Sequence, residues 1–216
     1  MTVSRRALGL GVAALAAVSA PSFLVGPAAA QSPALSAEDR AVLAQAQTYL
    51  QNLISAQGDF VETGPGGQRR SGKFYLQRPG KMRFEYTSPE GLLVVSDGSN
   101  VKRYDPRLNV FRQVPLGQTP LSTFLARNVR LDQGVRIDRV TRTSDGFALT
   151  ARDSRRPNDG AVVLAFAGSP MRLVEWTIID PQGARTRTLL TNLRPASGLS
   201  ASLFQLRDPT RRPGRS

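Results

Sequence analysis

The chain of 216 residues contains no cysteine and no histidine. Without cysteine there is no disulfide framework, no Cys-based zinc site and no thiol nucleophile; without histidine there is no imidazole general base. Acidic residues are also scarce, 16 against 29 basic ones, which leaves a formal net charge of +13 carried almost entirely by arginine. A surplus of that size points to an anionic partner: nucleic acid, phospholipid headgroups or an acidic protein. A hydrophobic content of 40% supports the core of one domain, or two small ones at most, and 21% charged residues mark a soluble chain rather than a wholly membrane-embedded one.

Catalytic patterns fail in turn. Gly64-Pro65-Gly66-Gly67 lacks the GK[ST] of a phosphate loop and reads as a hairpin turn. Ser96, Ser99 and Ser122 have no histidine to activate them and no Ser-x-x-Lys pair. Glu85, Glu90, Asp97, Asp105, Glu175 and Asp180 fall at strand or turn positions with no spacing that pairs them as catalytic acids. The expectation is a protein that is not an enzyme and holds no cofactor and no metal.

Residues 1–30 carry Arg5 and Arg6, an apolar run from Ala7 to about Ala20, and Ala28-Ala29-Ala30 before Gln31. A charged start, a short apolar stretch and an A-x-A site make a secretory signal peptide cleaved near Ala30/Gln31, and the arginine pair also fits twin-arginine export. The expected product is soluble in the periplasm and keeps a charge of +11. Export disfavours nucleic acid as the partner.

From Ser36 onward the pattern is helical and then alternating. Ser36 with Asp39 reads as a capping-box-like start, and Val42, Leu43, Ala46, Tyr49, Leu50, Leu53 and Ile54 give one apolar stripe over a helix from Ala37 to Ile54. Strands follow near 57–62, 69–78, 81–86, 92–96, 100–104, 109–114, 134–142, 146–152, 160–167, 171–180 and 184–193, separated by turn residues such as Pro79-Gly80, Asp97-Gly98 and Pro181-Gln182-Gly183. Thr119-Pro120, read as N-cap and first-turn proline, starts a short helix with Leu121, Phe124 and Leu125. Leu203 and Phe204 look placed to dock a last element, and 207–216 reads as a basic disordered tail. The fold class is mainly β with two apolar-faced helices: an antiparallel meander of about eleven strands curling toward a barrel, either closed or left incomplete with the helices over its open side.

Alternation puts Phe74, Leu76 and Arg78 on one face of a strand, and Met82, Phe84 and Tyr86 together on the next. An arginine extending an apolar row belongs at the rim of a cavity, where it stays hydrated or bonds carbonyls of a covering element; the competing reading is a surface arginine ending a strand.

Gly72-Lys73-Phe74-Tyr75-Leu76-Gln77-Arg78-Pro79-Gly80-Lys81-Met82-Arg83-Phe84-Glu85-Tyr86 resembles the opening signature of the periplasmic outer-membrane lipoprotein carriers, the LolA family. The resemblance continues through Leu92 to Gly98, Tyr104-Asp105-Pro106 and Thr119 to Asn128, and covers about 36–206 of a carrier domain spanning 31–206. It implies an incomplete antiparallel barrel closed by a helical lid, with an apolar cavity for the acyl chains of lipoproteins. It further implies cargo taken from a lipoprotein-releasing ABC transporter of the inner membrane and passed to an outer-membrane acceptor, a receptor lipoprotein if one is present, by a monomer. In the family an arginine before proline holds the lid shut, and Arg78 matches it; the family's usual lysine before that arginine is Gln77 here, and an aromatic common in the next strand is Met82. The expected cavity lining is Phe74, Leu76, Met82, Phe84, Leu93, Val95, Phe147, Leu149, Leu164, Phe166, Trp176 and Ile178, with Leu43, Leu50, Leu121, Phe124 and Leu125 as lid contacts; ordinary core packing is the competing role for each. A lipid- or lipoprotein-sensing regulator, or a carrier of another membrane lipid, would use the same half-barrel. The basic charge fits membrane headgroups, acidic docking partners or mere composition.

Overall fold

The computed structural model describes residues 35–211. The expected signal peptide and the end of the basic tail, 212–216, lie outside them; the start of the tail is placed, with Asp208 bonding the backbone of Thr210 in a turn at 2.9 Å. Helix α1 spans Ala37–Asn52. Ser36 caps it by accepting the N–H of Asp39 at 3.0 Å. The helix ends two residues before the expected Ile54, because Leu53 leaves helical geometry at ψ 69 and turns Ile54 out to solvent.

Eleven strands follow: β1 (Ser55–Thr63), β2 (Arg69–Gln77), β3 (Lys81–Ser88), β4 (Glu90–Asp97), β5 (Asn100–Asp105), β6 (Val110–Pro115), β7 (Val135–Arg142), β8 (Gly146–Asp153), β9 (Ala161–Ala167), β10 (Arg172–Ile179) and β11 (Arg185–Pro195). They form one antiparallel sheet in the order β6-β5-β4-β3-β2-β1-β11-β10-β9-β8-β7. Every chain neighbour pairs except β6 and β7, which are the two edges, so the barrel stays open. The segment joining those edges, 116–134, runs from one side of the sheet to the other and contains a 3-10 turn (Leu116–Gln118) and the short helix α2 (Leu121–Phe124). Thr119 does not cap α2 as expected. Its hydroxyl donates back to Leu116 O at 2.8 Å, ending the 3-10 turn, and Pro120 alone opens the helix.

The core lies on the concave face. Phe60 on β1 sits at its centre, edge-on to Phe84 and Tyr86 with ring centroids 4.8 and 4.9 Å away. Phe74 and Trp176 continue the aromatic layer, 5.5 Å apart, and Phe147 stacks on Phe166 at 5.2 Å. Edge-to-face contacts of this kind fix ring orientation as well as burying area. The convex face has a smaller cover: the 3-10 turn Ala201–Phe204 packs on β3 and β4, Phe204 is buried, and Arg83 donates to Leu203 O at 3.1 Å.

Two hairpin turns pack back to back at the end of β2 and β4. The Ser96 hydroxyl, fully buried, donates to Gly80 O at 2.6 Å, and Asp97 accepts the N–H groups of Ser99 and Asn100 at 2.9 and 2.8 Å. Gly80, at φ +76, lies so close to Gly98 that a Cβ would stand 2.6 Å from its Cα. The Pro79-Gly80 and Ser96-Asp97-Gly98 motifs are therefore one structural unit. Gly80→Ala adds left-handed strain to this clash and is expected to cost about 2 kcal/mol or more, read as a lowered urea midpoint at unchanged slope.

Candidate functional site

Beneath α1 and α2 the concave face encloses an apolar cavity of about 50 Å³. Phe74, Leu76 and Met82 form one wall, Val162, Leu164, Leu173, Trp176 and Ile178 the other, with Leu190 and Leu193 of β11 between them. Leu50 and Leu53 of α1 and Leu121, Phe124 and Leu125 of the crossing segment close it from above. Arg78 is the charged residue of its lining.

Arg78 leaves the end of β2 and points under both helices. Its Nη1 donates to Leu53 O at 3.0 Å and to Leu50 O, and its Nε donates to Phe124 O at 2.9 Å. Leu50 and Leu53 stand at the C-terminal end of α1, and Phe124 ends α2, where carbonyls have no partner within the helix. The negative ends of both helix dipoles thus face one cation. The last turn of α1 has no basic residue of its own. Among the described residues no carboxylate pairs with Arg78, and burial pushes its guanidinium down to about 10, still charged at neutral pH. The backbone follows the side chain: Arg78 N bonds Ile54 O at 2.8 Å and Gly80 N bonds Leu125 O at 2.7 Å.

The two halves of the lid are also tied to each other. Gln51 Nε2 donates to Val129 O at 3.0 Å, and Gln47 Oε1 accepts Leu131 N at 2.8 Å, which seats Val129 and Leu131 in full burial under α1. At its N-terminal end α1 is held to β7 by Arg142, 2.8 Å from Asp39 and 3.5 Å from Glu38. The outer contact of the crossing segment is Arg156, whose Nη2 donates to Gly117 O at 2.8 Å.

Of the residues expected in the cavity, Phe74, Leu76, Met82, Leu164, Trp176 and Ile178 line it, as do Leu50, Leu121, Phe124 and Leu125 from the lid. Phe84, Phe147, Leu149 and Phe166 share the concave face but are core beside it; Leu43 packs against that core without reaching the cavity. Leu93 and Val95 are a correction. They pair with Glu85 and Arg83, and so face the convex side, while Leu92 and Val94 face the core. The run Leu92-Leu93-Val94-Val95 is apolar in both parities because β4 is covered on both faces, and alternation alone does not choose between them.

Leu53 reaches the cavity as part of the apolar stripe of α1, whereas Val162, Leu173, Leu190 and Leu193 were missed. Val162 shares its parity with Leu164 and Phe166, so the signal was present. Leu173 reaches the face of Trp176 through a bulge between Leu173 and Glu175 that shifts the period by one residue, a feature the sequence does not display.

The description "Outer membrane lipoprotein carrier protein LolA" belongs to the family model that matches residues 51–207. The chain belongs to the LolA family. An outer-membrane lipoprotein carrier protein of Methylococcus capsulatus is 31% identical over 76% of this chain and 82% of its own length. Another, of Bordetella pertussis, is 30% identical over 97% of this chain and 96% of its own. Among solved structures, a DUF1329-family protein of Desulfovibrio piger shares the fold at 12% identity, with a TM-score of 0.50 over 76% of this chain and 94% of that one. The LolA family is one of carriers rather than enzymes, and among the described residues no group of acids is placed to hold a metal.

Two outcomes follow from this geometry. In Arg78→Leu, the relief of burying an unpaired charge offsets most of the lost hydrogen bonds, so global stability changes by less than about 2 kcal/mol. The amides of the last turn of α1 and of 121–126 should nevertheless exchange faster than in the parent. The second concerns Asp39, whose carboxyl is held below its ordinary 3.8 by the hydrogen bond from Arg142 and by Ser36. A lowered carboxylate contributes stability above its unfolded value and loses it as pH falls through the folded one. Arg142→Gln should therefore speed exchange in the first turns of α1 at pH 7, and that difference from the parent should fade as falling pH protonates Asp39.

Proposed function

We propose that the protein carries lipoproteins across the periplasm, holding their acyl chains in the cavity beneath the lid. It accepts them from a lipoprotein-releasing ABC transporter of the inner membrane and gives them up to an acceptor at the outer membrane. The observation that carries this reading is one arginine fastening two helices over an apolar cavity. An acyl chain leaving a membrane exposes about 0.8 kcal/mol per CH₂, so a soluble carrier must enclose it. The enclosed space of about 50 Å³ takes a few water-sized groups, and a chain of many methylenes enters only if the lid lifts. Family membership supports lipoproteins as the cargo.

The lid suits a cycle of loading and release. Its polar attachments are single hydrogen bonds and exposed ion pairs, each worth about 1–3 kcal/mol net or less, so cargo that buries apolar area on the sheet can displace them. The bonds re-form once the cargo leaves. Closure by Arg78 then competes with cargo for the same space, which keeps binding loose enough for delivery.

Trp176, the one tryptophan of the chain, lines the cavity and reports on its contents. Titration with a triacylated lipopeptide should change its emission, and native mass spectrometry of protein purified from an envelope fraction should show acylated lipoprotein bound. Arg78→Leu should take up the lipopeptide yet pass it to outer-membrane vesicles several-fold more slowly, since the lid no longer competes. Bound free phospholipid in place of lipoprotein would replace the cargo; no response of Trp176 to any acyl ligand would overturn the carrier reading.

A further inference from the structure

A second region, at the far end of the sheet, is built for a different contact. At the end of β2 remote from Arg78, roughly 30 Å away at ~3.3 Å per residue, a groove is lined by Arg69, Arg70, Arg103 and Arg107, together with Asp105 and Leu108. It lies among the β1–β2, β3–β4 and β5–β6 turns. The last two are packed on each other: Gly91, at φ +79, approaches Pro106 so closely that a Cβ would stand 2.9 Å from its ring. Asn109, at φ 50, bonds Pro106 O at 3.3 Å and fixes the β5–β6 turn that projects Arg107 and Leu108. The groove is therefore preformed.

Its charge is positive. Glu62 is taken by Arg70 at 3.3 Å and by the Tyr86 hydroxyl at 2.7 Å, and Asp105 by Arg103 at 3.1 Å. Arg69 and Arg107 form no ion pair among the described residues, the three turns themselves carry no acid, and Glu90 at the start of β4 is exposed. Leu108, at the tip of a turn, is 69% exposed, more than any other large hydrophobic residue described.

Arginines that present forked donors to phosphate, with an apolar side chain standing clear beside them, match the interface of an anionic membrane. A protein partner would need a broad apolar centre to its contact, and here a single large apolar side chain is exposed. We infer that this end of the sheet docks on an anionic phospholipid bilayer, with lipid phosphates in the arginine groove and Leu108 in the headgroup–acyl boundary. The inference goes beyond the carrier reading, and its test needs no cargo, so either can fail alone.

The test is flotation of the protein, purified as the cell processes it, with vesicles of phosphatidylglycerol and phosphatidylcholine, and with phosphatidylcholine alone. The parent should float with the first and not the second, and less as salt rises. Arg69→Glu with Arg107→Glu should weaken binding by at least about tenfold, and Leu108→Ser should weaken it while leaving the salt dependence in place. All three residues are exposed, so these variants should keep the parent's unfolding midpoint. Equal flotation of parent and variants, flotation on phosphatidylcholine alone, or loss confined to the cavity variant Ile178→Glu would overturn the inference. So would binding to an acidic protein surface but to neither vesicle.

Discussion

A guanidinium held under two helix ends, with no counter-charge among the described residues, organises this molecule. Burial makes the charge of Arg78 costly, as its lowered proton affinity records, and what offsets the cost is a set of carbonyls that would otherwise have no partner. The ends of α1 and α2 supply them. The same bonds that solvate the arginine thus determine where both helices stop and how they sit over the sheet. The attachment at Arg78 is polar and sits beside apolar packing, in which Leu50 of α1 and Leu125 of the crossing segment are buried with the core of the concave face. Such a fastening can be undone by a ligand that offers apolar contact to the walls.

The position of that arginine rests on backbone constraints two strands away. Arg78 precedes the Pro79-Gly80 turn, whose carbonyl is held by the buried hydroxyl of Ser96 and whose glycine nests against Gly98. A rigid pair of turns therefore aims the side chain. The topology completes the arrangement. The sheet leaves its two edges, β6 and β7, unpaired, and the chain passes from one edge to the other across the concave side. The crossing segment is a lid because of this connection: its two ends are anchored to opposite margins of the half-barrel, while its middle is free of strand pairing.

Charge and apolar surface are separated along the strands. The cavity wall is nearly free of ionisable groups near Arg78, whereas the concave face beyond Tyr86 turns to arginines with Glu62 and Asp105 between them. The aromatic layer of Phe60, Phe84 and Tyr86 divides the two regions. Several other arginines pair with aspartates two or three residues away, as Arg130 does with Asp132; such exposed pairs add little to stability. Much of the basic surplus therefore sits on the surface without bearing on the fold.

Alternation of side chains and the turn residues between them determined the eleven strands, because strand period and turn chemistry are local properties that need no partner to be expressed. Helix α1 and its cap at Ser36 were legible for the same reason. The row Phe74, Leu76, Arg78 left the arginine either at a cavity rim or at the surface end of a strand, and the carbonyl partners that decide between the two lie 25 to 46 positions away in sequence. Tertiary structure alone decided which face of Leu92-Leu93-Val94-Val95 is inward, since both are buried. It also decided how the bulge at Leu173–Glu175 brings Leu173 into the wall, and that β6 and β7 stay apart. Those outcomes depend on what packs against a residue and not on which residue it is: a strand covered on both sides has no polar face to read, and an open edge is a relation between distant segments that no local pattern encodes.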